Sequence, residues 1–133
     1  MIVIDSSAII AIFRQEDDAA DFAKRIAEDD DPIISAANIV EVSIVLRGLK
    51  KIAPDRTERW LDDFIETAGI RIEPVTGDQA NIARSAHLRF GKGTGHVAGL
   101  NYGDCFAYGL VKAMGAPMLC KGSDFPLTDI QIA

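Results

Sequence analysis

Cysteine, tryptophan and long apolar runs are all scarce in this chain, and each scarcity excludes something. There are two cysteines and one tryptophan in 133 residues. Cys105 and Cys120 have neither Cys-x-x-Cys spacing nor a partnering histidine pattern. They therefore read as reduced, small core residues of a cytoplasmic protein rather than as a zinc or redox motif. The longest apolar runs, such as Ala8-Ile9-Ile10-Ala11-Ile12-Phe13, fall far short of the roughly 20 residues that span a bilayer. No basic stretch precedes Ile2-Val3-Ile4, so neither a membrane segment nor a secretory leader is expected. Positive charge is also short, at 14 Lys+Arg against 20 Asp+Glu, a net of −6. That balance opposes bulk electrostatic attraction to nucleic acid, while leaving room for a local site.

What is present is an ordinary globular composition, 48% hydrophobic and 26% charged, in a length that suits one domain with its own core. Met1-Ile2-Val3-Ile4 is a continuous apolar run, the mark of a strand buried on both faces. Asp5-Ser6-Ser7 ends it and supplies cap chemistry for a helix through Phe13. Glu16 to Asp29 reads as a second helix, and Ile33-Ile34 stands where a second strand belongs. Ser35 can cap a helix from Ala36 to about Lys51. Its stripe Ile39, Val42, Leu46 and Leu49, with Trp60 and Phe64 nearby, suits either a partner surface or plain core. Pro54 opens the next helix, Gly69 closes it, and Ile70 to Val75 alternates like a strand. Thr76 caps a helix holding His87 among apolar residues. Five of the eleven glycines then fall between 91 and 103, marking an irregular loop. Asn101 caps a helix from Tyr102 to about Met114, Ala116 to Cys120 is a fourth strand, and Ile130-Gln131-Ile132 is a possible fifth at the edge. Strands alternating with helices predict an α/β fold, a mostly parallel central sheet of four to five strands flanked by helices in one domain.

In such a sheet the ligand site lies outside the carboxyl ends of the strands. Asp5 follows the first strand and Asp124 the fourth; Asp104 lies in the first turn of the helix before the fourth, and Glu41 within the helix after the second. All four can face one point. Clustered carboxylates repel and are stable together around a cation. Oxygen ligands without histidine or cysteine favour Mg²⁺ or Mn²⁺. Each aspartate also has a plain role as a cap or turn former, strongest for Asp104, because Asn101-x-x-Asp104 approaches a capping box. Glu41 is different: amid Ile39-Val40-Glu41-Val42 it needs a specific partner or an exposed helix edge. The glycines after Phe90 complete neither a phosphate loop nor a dinucleotide fingerprint. Loop residue His96 is open to substrate contact.

Val3-Ile4-Asp5-Ser6-Ser7-Ala8, Asn38-Ile39-Val40-Glu41, Leu100-Asn101-Tyr102-Gly103-Asp104-Cys105-Phe106-Ala107-Tyr108 and Leu119-Cys120-Lys121-Gly122-Ser123-Asp124-Phe125 together resemble the PIN-domain ribonucleases. Within these the chain is most similar to the VapC toxins of bacterial toxin–antitoxin pairs. The resemblance covers the whole chain in order and implies a single PIN domain over residues 1–133. It further implies Asp5, Glu41, Asp104 and Asp124 as the acidic site with Ser6 in support. Asp5 and Asp104 are then direct metal ligands, with Glu41 and Asp124 close by or acting through water. A homodimer, a small cognate antitoxin and toxin–antitoxin hetero-oligomers follow from the same resemblance. Ser6 stands where threonine is common, which keeps the hydroxyl, and Cys120 where a larger apolar residue is frequent.

The expected activity is Mg²⁺- or Mn²⁺-dependent hydrolysis of RNA. With a net negative chain, phosphate contacts must come from local cations, for which Arg14, Arg89, Lys92 and Lys121 are candidates. Two other classes compete. One is a PIN-like binding module that has lost catalysis. The other is a phosphoacceptor receiver domain, which lacks its acidic pair here because Asp5 is followed by Ser6.

Overall fold

β1 (Ile2–Ile4) is apolar and buried at all three positions, which places it in the middle of the sheet. The computed structural model describes residues 1–49 and 52–133. In it the sheet has four parallel strands in the order β3-β2-β1-β4, with β2 at Pro32–Ser35, β3 at Arg71–Glu73 and β4 at Met118–Leu119. Among the described residues six helices surround it: α1 (Ser6–Phe13), α2 (Ala19–Glu28), α3 (Ala36–Arg47), α4 (Pro54–Ala68), α5 (Gly77–Phe90) and α6 (Tyr102–Met114). A short 3₁₀ turn covers Phe125–Leu127. Among the described residues no helix is long and apolar enough to cross a membrane.

Alternation along the strands divides the core in two. Val3, Ile33 and Met118 pack with Phe90, Leu100, Tyr108 and Leu110 from the α5–α6 side. Ile2, Ile4, Ile34 and Leu119 pack with Ile9, Phe22, Ile26, Val42, Leu46 and Leu61 from α1 to α4. The chain is thus a sheet between two helical layers, each hiding apolar area that contributes roughly 25 cal/mol per Å² removed from water. β3 is the edge, with Ile72 half exposed and Arg71 paired to Asp31 at 2.9 Å.

Local signals hold up well. Thr76 accepts from Gln79 N at 3.1 Å and Ser35 from Ala37 N at 3.3 Å. Gly69 closes α4 at φ +65, a left-handed geometry that disfavours a side chain. Two expectations need correction, and one open alternative is decided. The helix after Ser35 ends at Arg47 with Gly48 as its cap, and the expected end near Lys51 lies outside the described residues. The fifth strand is one parallel bridge, Met118 to Ile132, held by Met118 N to Gln131 O at 2.9 Å. The stripe Ile39, Val42, Leu46 and Leu49 is core: Val42 and Leu46 are buried and the other two pack against them. The apolar residues that α3 exposes are Val40 (58%), Ile44 (57%) and Val45 (37%).

The order of strands decides where a site can form. From β1 the chain runs outward through β2 to β3, then returns to the other flank of β1 for β4. Adjacent crossovers diverge at that switch, opening a crevice at the carboxyl ends of β1 and β4.

Candidate active site

Three helix N-termini point into this crevice, those of α1, α3 and α6, because each begins at the carboxyl edge. Their partial positive charge favours carboxylates there. Asp5 caps α1; its Oδ2 accepts from Ser7 N at 3.0 Å and from Ser7 Oγ at 2.6 Å. Its Oδ1 is buried with no hydrogen-bond partner among the described residues. Ser7 Oγ in turn accepts from Lys121 N at 2.9 Å, tying the first aspartate to the loop that leads to Asp124.

Glu41 is half buried, and no arginine pairs with it among the described residues. Its Oε1 accepts from the Ser6 hydroxyl and from Asn38 Nδ2 at 3.2 Å, so hydroxyl and amide donors replace the cation that a buried carboxylate ordinarily needs. Asp104 completes a full capping box. Asn101 Oδ1 accepts from Asp104 N and Asp104 Oδ2 accepts from Asn101 N, both at 2.9 Å. The plain and the chemical roles of Asp104 therefore coexist in one side chain.

Each of the three acids commits one carboxylate oxygen to the protein and holds the other out of those bonds. Burial pushes the Asp104 carboxyl up to about 7, and the nearby charges of Asp5, Glu41 and Asp124 add to the rise, against a lowering from the Asn101 N–H. Asp5 is also raised, by burial first, while its Ser7 bonds oppose the shift. Asp124 is exposed and adds charge to the same cluster. Among the described residues no three His, Cys, Asp or Glu converge tightly enough to ring one ion. The acids are gathered but splayed, as like charges are.

The four candidate cations divide. Lys121 Nζ is held by Asp18 at 3.1 Å and Glu16 at 3.4 Å. Arg89 pairs with Asp129 at 3.4 Å and lies over the Phe90 ring. Arg14 and Lys92 are exposed and form no ion pair among the described residues. His96 is occupied within its loop, packing edge-on against Phe90 and accepting from Ala98 N at 3.0 Å. His87 is exposed rather than packed. Cys120 borders the acids, and burial, with Asp5 and Asp104, pushes its thiol up to about 12. Without metal it stays protonated beside the carboxylates.

Residues 2–131 match the PIN domain family model. The chain belongs to the PIN-domain family. Ribonuclease VapC28 of Mycobacterium tuberculosis is 47% identical over 131 residues, which are 98% of this chain and 96% of that protein. A solved structure of Mycobacterium tuberculosis VapC20, described as a sarcin–ricin loop cleaving toxin, superposes with a TM-score of 0.76. Its identity is 15%, and the match covers 98% of this chain and 96% of that one. A toxin–antitoxin complex from Klebsiella pneumoniae gives 0.67 at 16% identity, covering 94% and 90%. This PIN domain leaves the receiver alternative without support.

Two polar residues of this PIN domain's crevice escaped the sequence reading as site residues. Ser7 reads in the sequence as cap chemistry for the first helix, and its signal as a site residue is adjacency to Asp5. Asn38 carried a clearer one: an amide in an apolar helix, one turn before Glu41.

Proposed function

We propose that this protein is an endoribonuclease that hydrolyses RNA phosphodiester bonds with Mg²⁺ or Mn²⁺, acting in the cytoplasm as the toxin of a toxin–antitoxin pair. One domain over residues 1–133 carries that activity. The supporting observation is the shared pattern of Asp5, Glu41 and Asp104. Each is anchored through one oxygen, and the other oxygen of Asp5 is buried without a partner among the described residues. An orphaned carboxylate oxygen beside further carboxylates, in a site of hard donors, fits a divalent cation.

Asp5 and Asp104 would hold the ion directly, with Glu41 and Asp124 nearby or through water. A bound cation supplies the charge that acidifies a water molecule and offsets charge developing on the phosphate. The chain supplies the rest. Ser7 fixes the Asp5 carboxylate, Ser6 and Asn38 fix Glu41, and the capping box fixes Asp104. The anchored groups are set before substrate arrives, which lowers the reorganisation that the reaction requires.

Of the four candidate cations, Arg14 and Lys92, without ion pairs among the described residues, are assigned to RNA phosphates. Lys92→Ala is expected to weaken single-stranded RNA binding and to reduce the slope of log affinity against log salt by about 0.7. Filter binding across a salt series checks this, and an unchanged slope removes Lys92 from the interface. We also assign a second copy of the chain and a small antitoxin as partners. Supporting this is an apolar groove of about 410 Å³ that Val40, Ile44, Val45, Tyr102 and Phe106 line and that reaches Glu41 and Gly103.

The deciding experiment is digestion of a mixed RNA pool in Mg²⁺ or Mn²⁺, in EDTA, and after metal is restored. Internal cuts that disappear with EDTA and return with the metal are expected. Cutting that persists in EDTA sinks the metal-dependent reading.

A further inference from the structure

Asn38 is fully buried in the first turn of α3. Its Nδ2 donates twice, to Glu41 Oε1 at 3.2 Å and to the Gly103 carbonyl at 3.0 Å. Gly103 precedes Asp104, so one amide joins the two helices that carry two of the acids. Both partners are acceptors only, which fixes the amide's orientation: a flipped side chain would set its oxygen against two oxygens. In the orientation present, Oδ1 is buried with no partner among the described residues.

An amide buried with half of its bonding capacity unused is a poor choice for stability. A buried acceptor without a partner forfeits its hydration, and an apolar side chain of similar size avoids that cost. The Gly103 carbonyl also has the ordinary helical bond of α6 available to it. What the amide adds is direction. Glu41 has three side-chain torsions, and the Ser6 hydroxyl alone leaves its carboxylate free to pivot about a single bond. A second donor on the same oxygen stops that rotation and sets the distance between Glu41 and the start of α6.

We infer that Asn38 is a positioning residue for the reaction, holding Glu41 and the first turn of α6 in register so that Glu41 and Asp104 serve the same centre. This inference rests on the ribonuclease reading above. Asn38 touches neither substrate nor reacting atoms, and acts through the Glu41 carboxylate.

The test uses the full chain with Asn38→Leu, which removes both donors at similar volume, and Asn38→Ser, which removes the amide from a smaller side chain should the first variant not fold. Three quantities are read: melting temperature, Mn²⁺ affinity by calorimetry without RNA, and kcat and KM on a fluorophore–quencher RNA that the wild type cuts. Positioning predicts folded variants with kcat lowered about 10- to 100-fold, KM within about two-fold, and Mn²⁺ binding weakened by about ten-fold, as for lost outer partners of metal ligands. A lower melting temperature with kcat and Mn²⁺ affinity intact means a structural role and overturns the inference. A wild type that cuts no RNA fails the ribonuclease reading instead. The Mn²⁺ comparison then still decides Asn38, with equal affinities in wild type and variants counting against it.

Discussion

Asp104→Asn is expected to lower RNA cleavage by more than about 10³-fold, the several kcal/mol of charge stabilisation that a cation held there provides, while leaving the fold in place. Asparagine keeps an oxygen to accept from Asn101 N, so the capping box at 2.9 Å survives. What it loses is the charge. The same change alters the pH dependence of stability in a defined sense. Folded Asp104 titrates at about 7 against an ordinary value of 3.8. Between those two values the folded protein keeps a proton that the unfolded chain has released. Stability of the metal-free protein therefore falls as pH rises through that window and is level above it. The mutant lacks this contribution and is expected to melt at or above the wild-type temperature at pH 7.5. Melting curves from pH 4.5 to 8 without metal, beside a cleavage assay, check both halves. Parallel pH curves for the two proteins would contradict the assigned titration; undiminished cleavage would remove Asp104 from the site.

Gly103→Ala is the second large effect, and here fold and chemistry are expected to part. Gly103 is helical, where alanine is favoured over glycine by up to about 1 kcal/mol. A Cβ there, however, overlaps the Glu41 carboxylate. The overlapped atoms are the far end of a flexible side chain, so the protein escapes the clash by swinging Glu41 away from Ser6 and Asn38. Melting temperature is expected to hold or rise slightly, while single-turnover cleavage falls by about 100-fold, the loss that accompanies ångström-scale misplacement. Wild-type cleavage by Gly103→Ala would show that Glu41 needs no fixed place.

These two residues also show how far the sequence could be read. Helix starts and stops were legible because they are local: Thr76 with Gln79, Asn101 with Asp104, and Gly69 each settle a boundary within four residues. The acidic edge was legible because strand topology alone brings residues 5, 41, 104 and 124 to one side of a parallel sheet. Orientation was not. Whether Glu41 meets an arginine or a pair of neutral donors depends on Ser6 and Asn38, 35 and three residues away. The Asn38–Gly103 bond spans 65 residues. The α3 stripe was left open between partner surface and core for a related reason. A helix apolar almost all round gives no periodicity to tell inward from outward, and only packing against α1 and α4 leaves Val40, Ile44 and Val45 outside. The short β4 and the single bridge at Ile132 reflect pairing partners, which apolar content alone does not reveal.

The capping box makes residue 104 a point where lineages can diverge cheaply. One side chain both starts α6 and contributes charge to the acid cluster, so a step from aspartate to asparagine erases the charge and keeps the helix. A descendant that had taken that step would express, fold and still present the groove beside Tyr102 to its partners. On the proposed chemistry, the identity of one side chain at the start of α6 distinguishes a working copy from an inert decoy, where an intact fold does not.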